Sequence, residues 1–275
     1  MAASLTTEPG LAATETEKSD KYSVPGLERG LKILAQFSRE TPTLSAPELA
    51  RRLQVPRTTI FRLLVTLENL GFVERLNNGR DFQLGTAVLR LGFEYLASLS
   101  ITELSRPILE RLRNDTGYSS NLVIRDGRDI VYVQKMAPVS VFSSSVHIGT
   151  RLPAHATVLG RVLLSHHTLE ELRALYPEEN LRTFNPHTPP TVPDLYRLVQ
   201  TDKARGYVLE EGFFETNISS IAAPVFDESG RVVAAMGMTV PALHVPELDR
   251  DMLVAKVKAS ARELSLALNA RLSDQ

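Results

Sequence analysis

The sequence contains no cysteine, which excludes a disulfide framework, a thiol nucleophile, an iron–sulfur cluster and a cysteine-ligated zinc site. It also lacks a long hydrophobic run, since the longest uncharged apolar stretch, 232–240, is far shorter than a bilayer span. The first twenty residues lack the cationic start and apolar core of a secretion signal. These absences predict a cytoplasmic protein that does not enter a membrane.

An excess of charge is also missing, because 31 basic residues face 32 acidic ones and the net charge is -1. This balance excludes a globally basic nucleic-acid coat, although it allows a basic patch on one domain. The 275 residues, 43% of them hydrophobic, are enough for one large domain or two modest ones. Residues 1–23 are poor in large apolar side chains and mostly acidic where charged, which predicts a disordered tail.

A compact run of three helices and a hairpin is predicted over residues 24–85. Apolar spacing indicates a first helix over 25–38 and a short second helix that Ser45 caps, with Glu48 completing a capping box. The third helix begins at Pro56 and ends before Gly71. Two strands, 72–75 and 81–84, flank the turn Asn77-Asn78-Gly79. This order is typical of a winged helix-turn-helix domain.

The third helix carries the side chains best suited to a DNA groove. Its apolar residues must face the core, which leaves short polar, basic and aromatic groups pointing outward. Residues 24–85 hold nine basic and six acidic side chains, so this part is positive although the chain is not. Taken singly, each arginine is equally consistent with a solvated helix position. The predicted DNA contacts, including two at the wing tip, are Arg51, Arg57, Thr58, Thr59, Phe61, Arg62, Asn78 and Arg80.

Residues 86–100 predict a linker helix, and residues 101–275 predict an α+β domain in which antiparallel strands are flanked by helices. Asp126-Gly127 and the segment 227–230 supply the turns between strands. Strands are expected at 120–125, 129–135, 140–148, 207–211, 218–227 and 231–240, and helices at 101–114, 155–166, 168–175, 191–205 and 246–272.

Two sets of motifs carry a family resemblance. The first consists of segments 27–34, 49–53, 56–64, 66–67 and 82–85, and the second of segments 151–156, 160–161, 205–207, 221–227 and 230–235. These sets resemble, in turn, the DNA-binding domain and the effector-binding domain of the IclR family of bacterial transcriptional regulators. The resemblance covers about residues 24–272. Within the family, the segments 149–153, 160–164 and 219–222 are similar to members that control aromatic-acid catabolism by the β-ketoadipate route.

The resemblance implies a ligand-responsive regulator in which residues 101–275 form a GAF-like domain for effector binding and oligomerisation. The protein would form a dimer or tetramer and bind paired half-sites of double-stranded DNA. An apolar wall would accept a ring, while hydroxyl groups and backbone N–H groups near Gly160 would bind the carboxylate of a small organic acid. A helix beginning near His155 would place its positive end by that anion. By position in the motifs, the pocket residues are Ser144, Val158, Leu159, Glu210, Ile218, Ser220, Met236, Gly237, Met238 and Thr239.

Some of these assignments have a plain structural alternative. Arg151 and His155 are candidates to clamp the acid, but each is equally suited to brace its loop. Met236 and Met238 share one side of a strand and are suited to core filling. Glu210 is most simply a solvated strand end. Gly237 and the bulky segment 212–217 depart from the family pattern, and Gly237 is expected to leave room for a ligand larger than glyoxylate.

Two rival classes of function remain. An enzyme is disfavoured because the histidines lack zinc-binding spacing and because phosphate-binding loops, nucleophile elbows and dinucleotide fingerprints are absent. We therefore expect no catalytic residue, metal or cofactor apart from the organic-acid effector. The second rival is a DNA-binding protein whose C-terminal domain only dimerises or binds a protein partner.

Overall fold

The computed structural model describes residues 22–76, 79–137, 146–178, 180–214, 217–242 and 249–273. The predicted tail falls almost wholly outside these ranges. The chain divides into two compact units, with the boundary between Tyr95 and Leu96. None of the helices in the described ranges is long and apolar enough to cross a membrane.

The first unit is a helical domain with a small sheet. Its elements are α1 (Pro25–Leu34), β1 (Thr43–Ser45), α2 (Ala46–Leu53), α3 (Arg57–Asn69), β2 (Val73–Arg75), β3 (Asp81–Leu84) and α4 (Ala87–Ser98), the last of which runs past the boundary at Tyr95. The three-stranded sheet has the order β1-β3-β2, with antiparallel pairs. The strand β1 was not predicted, because it is three residues long and pairs with a distant strand, Leu44 opposite Phe82.

Local hydrogen bonds explain where the first helices begin and end. The helix α1 is shorter than predicted because the backbone turns after it, where the Ser38 N–H donates to the carbonyl of Thr41. Ser45 caps α2 as predicted, its Oγ accepting from the backbone N–H of Glu48 at 3.4 Å. The carboxylate of Glu48, however, binds arginine side chains of α2. Gln54 ends α2 in the left-handed region, at φ 54°.

The second unit is a three-layer α+β domain. Its elements are α5 (Ser100–Thr116), β4 (Ser119–Asp126), β5 (Asp129–Met136), β6 (Arg151–Pro153), α6 (Val158–Leu164), α7 (Leu169–Leu175), α8 (Val192–Arg205), β7 (Val208–Glu211), β8 (Ile218–Phe226), β9 (Val232–Pro241) and α9 (Arg250–Ser273). The six-stranded antiparallel sheet has the order β6-β5-β4-β9-β8-β7. The helices α5 and α9 pack on one face of the sheet, and α6, α7 and α8 pack on the other.

Two elements of the second unit differ from the predictions. Of the strand expected at 140–148, residues 140–145 lie outside the described ranges and 146–148 are not a strand. The helix expected at 155–166 is divided into a 3-10 turn, 154–156, and α6. The division lies at Thr157, which is extended and caps α6 by accepting a hydrogen bond from the N–H of Gly160 at 3.2 Å.

Candidate functional site

The first candidate site is the outer face of α3. A three-residue turn, 54–56, joins α2 to α3, and the buried Ile60 and Leu64 fix which side of α3 faces the core. The opposite side presents most of the predicted DNA contacts on α3 to solvent, and Phe61 is 49% exposed. The exposed residues are Arg57, Thr58, Phe61 and Arg62, and Thr59 is half-buried beside them.

Arg57 and Arg62 differ from Arg51 in their partners. Neither of the first two forms a side-chain hydrogen bond or ion pair within the described part of the chain, so both guanidinium groups are available to a ligand. Arg51 instead binds the Glu48 carboxylate through Nε at 3.0 Å and Nη2 at 2.7 Å, and Arg52 joins it at 2.7 Å. These two arginines hold the pKa of Glu48 at about 2. Because Glu48 accepts from two of the five N–H donors of Arg51 and neutralises its charge, Arg51 has less to offer a phosphate.

The wing, which is the hairpin of β2 and β3, is attached to α3 through Arg75. From the sequence, Arg75 was counted only among the basic residues of this unit. Its guanidinium donates to both carboxylate oxygens of Glu68, on α3, at 3.2 and 2.9 Å. It also lies over the rings of Phe61 and Phe82, 5.7 and 4.7 Å from their centroids. Of the predicted wing contacts, Arg80 is exposed and Asn78 lies outside the described residues.

The second candidate site is a cavity of about 50 Å³ between α6 and the sheet of the second unit. The structure brings six of the predicted pocket residues to its wall, namely Val158, Leu159, Glu210, Ile218, Ser220 and Thr239. The sequence reading missed the remaining lining residues, which are Tyr132, Val146, Leu152, Thr157, Phe213 and Phe214. The predicted Ser144 lies outside the described residues.

The floor of this cavity is a polar row across three adjacent strands. Glu210 on β7 pairs in register with Ser220 on β8, which pairs in turn with Thr239 on β9. The buried amide of Asn121 donates to Oγ1 of Thr239 at 3.1 Å, and its own oxygen has no partner within the described ranges. Since Thr239 accepts this bond, its hydroxyl proton remains available to an anion.

Three predicted pocket residues on β9 are not part of the wall, which corrects the sequence reading. Side chains alternate along a strand, and Met236 and Met238 lie on the opposite face, in the core formed with α5 and α9. Gly237 does face α6, but a Cβ atom there would lie 3.1 Å from the side chain of Leu159 and 2.6 Å from the Ile221 carbonyl oxygen. Gly237 therefore allows α6 to pack closely and does not leave room for a ligand.

Arg151 and His155 brace loops and do not line the cavity. Arg151 binds Asp126 at 2.7 Å and Asp129 at 3.2 Å on the strand edge. His155 is buried, and its Nε2 donates to the carbonyl of Arg182 at 2.9 Å, while burial lowers its pKa. The backbone N–H of Gly160, expected to hold the carboxylate, already donates to Thr157.

A buried arginine beside the cavity was not assigned any role from the sequence. Arg161 is 2% exposed and donates to both oxygens of Asp202, at 2.8 and 2.7 Å. It also donates to Glu210 at 3.0 Å and lies 4.7 Å from the ring centroid of Phe213. Burial raises the pKa of Asp202 despite the adjacent guanidinium. Glu210 is thus ion-paired with a buried arginine, although its own side chain is 36% exposed, and it is not simply a solvated strand end.

Family models match both units of the chain. The model of the IclR helix-turn-helix domain matches residues 26–77, and the model described as "Bacterial transcriptional regulator IclR C-terminal" matches residues 93–266. The second match alone covers more than half of the chain. It contains the cavity and the Arg161 network, and the first match contains α2, α3 and the start of the wing.

Curated relatives are similar in sequence to this chain over nearly its whole length. The HTH-type transcriptional repressor AllR of Salmonella typhimurium (strain LT2) is 29% identical over 255 residues, covering 92% of this chain and 93% of its own. The Pca regulon regulatory protein of Pseudomonas putida is 28% identical over 257 residues, covering 91% and 87%. These relatives are transcriptional regulators and not enzymes.

Solved structures show the same fold. A transcriptional regulator from Rhodococcus sp. RHA1 is 32% identical with a TM-score of 0.78, covering 91% of this chain and all of its own. An IclR homologue from Microbacterium hydrocarbonoxydans, complexed with 4-hydroxybenzoate, is 23% identical with a TM-score of 0.78, covering 89% and 99%. With its helix-turn-helix unit and its α+β unit, the chain belongs to the IclR family of DNA-binding transcriptional regulators.

Proposed function

We propose that this regulator responds to an aromatic or other small organic acid and controls genes for its catabolism. The observation that carries the proposal is the cavity whose floor is the polar row and whose walls are apolar. The Pseudomonas putida relative is a Pca regulon regulator, and a homologue of the same fold binds 4-hydroxybenzoate. The homologue complexed with 4-hydroxybenzoate supports an aromatic acid as the effector.

The chemistry of the wall suits a ring attached to a carboxylate. Val158, Leu159 and Phe213 supply the apolar contacts, while the hydroxyls of Ser220 and Thr239 supply donors. Arg161 offsets the charge of Glu210, which would otherwise repel the acid. A cavity of about 50 Å³ holds only a water or two. Binding of an aromatic acid therefore requires the aromatic side chains of the wall, Tyr132, Phe213 and Phe214, to move outward.

Thermal melting of the full chain with a panel of aromatic and short aliphatic acids tests this proposal. A ligand selective for the folded form, present at one hundred times its dissociation constant, stabilises by about 2.7 kcal/mol. We expect an aromatic acid to raise the melting temperature by several degrees and short aliphatic acids to raise it less.

Two variants of β8 localise the effect. Ser220→Val removes a hydroxyl from the cavity and should abolish the rise, while Ser219→Val, the adjacent residue on the opposite face of the sheet, should keep it. If no acid changes the melting of the wild type, the second unit serves only oligomerisation or a protein partner. Turnover of any acid would favour an enzyme.

We also propose that two copies of the first unit associate through apolar side chains that are exposed on α1 and on α4. The helix α4 has no buried residue, and its Leu89 and Phe93 are 58% and 65% exposed. Leu27 and Leu31 of α1 are exposed to a similar degree. An apolar surface of this kind marks an interaction site. A second copy would place two α3 helices on half-sites about 34 Å apart.

The double change Leu89→Lys/Phe93→Lys should disrupt the proposed dimer of the first unit and lower the sedimentation coefficient, because burying two ammonium groups is unfavourable. Affinity for a fragment with paired half-sites should fall, while affinity for a single half-site should not. Glu94→Lys is the control, because it introduces a lysine into the same helix at a position that is already charged and therefore leaves the exposed apolar side chains unchanged. A double variant that sediments as the wild type does would contradict the proposed interface.

A further inference from the structure

A second concave surface in the C-terminal unit lies toward the C-terminal end of α6, whereas the small cavity lies at its N-terminal end. This groove has a volume of about 510 Å³ and is bounded by α6, α8, β8 and α9. Its floor is mainly apolar, and Leu266 on its rim is 62% exposed although it is a large aliphatic side chain. The apolar residues of the groove are Val162, Tyr207, Val208, Ala223, Pro224, Phe226, Ala259 and Leu266.

The rim of the groove is positively charged. Lys203 lies in the last turn of α8, and Lys258 and Arg262 lie one turn apart on α9, all three exposed. None of them forms an ion pair with an acidic side chain among the described residues. The carboxylate of Asp202 also lines the groove, but both of its oxygens are bound by Arg161. The groove therefore combines an apolar floor with uncompensated positive charge.

We propose that this groove is a second ligand site, which binds a small amphipathic anion of the aryl carboxylate class. The ring would lie on the apolar floor, where His166 already packs edge-on to Phe226 at 5.3 Å between ring centroids. The carboxylate would face Lys258 and Arg262. Planar guanidinium groups bind carboxylates through two parallel hydrogen bonds, so Arg262 supplies orientation as well as charge.

The ion network connects this groove with the small cavity. Asp202 lines the groove, Glu210 lines the cavity, and Arg161 binds both. On α6, Val162 contributes to the groove and Leu159 to the cavity. An anion in the groove lies next to the network that positions Glu210. The second site thus has a direct physical route by which to modulate the first.

Calorimetric titration of the full chain with 2-naphthoate tests the proposal, because the groove of about 510 Å³ accepts two fused rings as it stands, whereas the small cavity of about 50 Å³ would have to open further for them than for a single ring. We expect one saturable site per chain. The neutral analogue 2-naphthamide should bind at least about tenfold more weakly, since hydrogen bonds to charged groups are stronger than neutral ones. Equal binding of the two compounds would overturn the proposal.

Variants test whether 2-naphthoate binds in the groove. Lys258→Met/Arg262→Met should weaken 2-naphthoate binding by about tenfold or more, whereas Lys256→Met, on the same helix but outside the groove, should not change it. Ser220→Val should also leave it unchanged, and this variant separates the groove from the proposed effector cavity. Unaltered affinity in the double variant, or lost affinity in Ser220→Val, would refute the assignment. If the oligomer of the double variant dissociates in sedimentation experiments while 2-naphthoate still binds, the groove is an interface with a second copy of the chain and not a ligand site.

Discussion

Replacing Arg57 or Arg62 by alanine is expected to weaken binding to the specific operator by about 1 to 3 kcal/mol at each position. Both side chains lie on the exposed face of α3, and the burial of Ile60 and Leu64 fixes that face outward. Neither guanidinium has an intramolecular partner to give up within the described residues. Arg51→Ala should have a smaller effect, because Glu48 already holds that side chain.

Comparing two DNA fragments across a range of salt concentrations distinguishes the kinds of contact. An operator fragment selected from genomic DNA is compared with a scrambled fragment of equal length. Loss of a base contact weakens binding to the operator more than to the scrambled fragment. Loss of a phosphate contact weakens both equally and lowers the salt slope by about one unit. Arg173→Ala, in the second unit, is the control. If both variants bind as tightly as the wild type, α3 does not read the groove through these arginines.

The orientation of α3 was predictable because it depends on local periodicity. Ile60 and Leu64 are one turn apart, and a helix allows only one arrangement that buries both. The orientation of the β9 side chains was only partly predictable. Alternation requires Met236 and Met238 to share a face of the sheet, but the sequence does not say which face α6 covers. That choice depends on how distant helices pack, and the structure places both methionines beneath α5 and α9.

The Arg161 network was beyond the reach of local patterns for a similar reason. Its partners are Asp202, 41 residues away, and Glu210, 49 residues away. From the sequence pattern alone, Asp202 is an ordinary polar residue of an amphipathic helix, and Glu210 is the end of a strand. Only the packing of α6 against α8 and β7 shows that an arginine is buried between them.

Arg161→Met is expected to destabilise the second unit by about 3 to 5 kcal/mol, because it leaves the carboxylate of Asp202 buried without a counter-ion. Methionine keeps much of the volume and the contact with Phe213, so the loss reports mainly on charge. Arg173→Met is the matched control, since that arginine is exposed on α7 and the same change there should cost less than about 0.5 kcal/mol.

The loss should grow with pH. Burial already raises the pKa of Asp202 in the wild type, and removal of the guanidinium raises it further. Between the unfolded and folded pKa values the folded variant holds a proton that the unfolded chain releases. Its stability therefore falls as pH rises through that interval. The gap to the wild type should be smaller at about pH 5 than at about pH 8, where the carboxylate must be buried charged or kept protonated at a cost.

Urea denaturation followed by circular dichroism, together with hydrogen exchange at the amides of α6, measures this loss in the unit that carries the network. The double variant Arg161→Met/Asp202→Asn should recover part of the stability and lose most of the pH dependence, because it removes the uncompensated carboxylate together with its partner. Recovery in the double variant would show that the single variant fails through unpaired charge and not through lost packing. A single variant as stable as Arg173→Met at both pH values would mean that Asp202 finds water or another partner when Arg161 is gone, and the network would then have no role in holding α6 to α8.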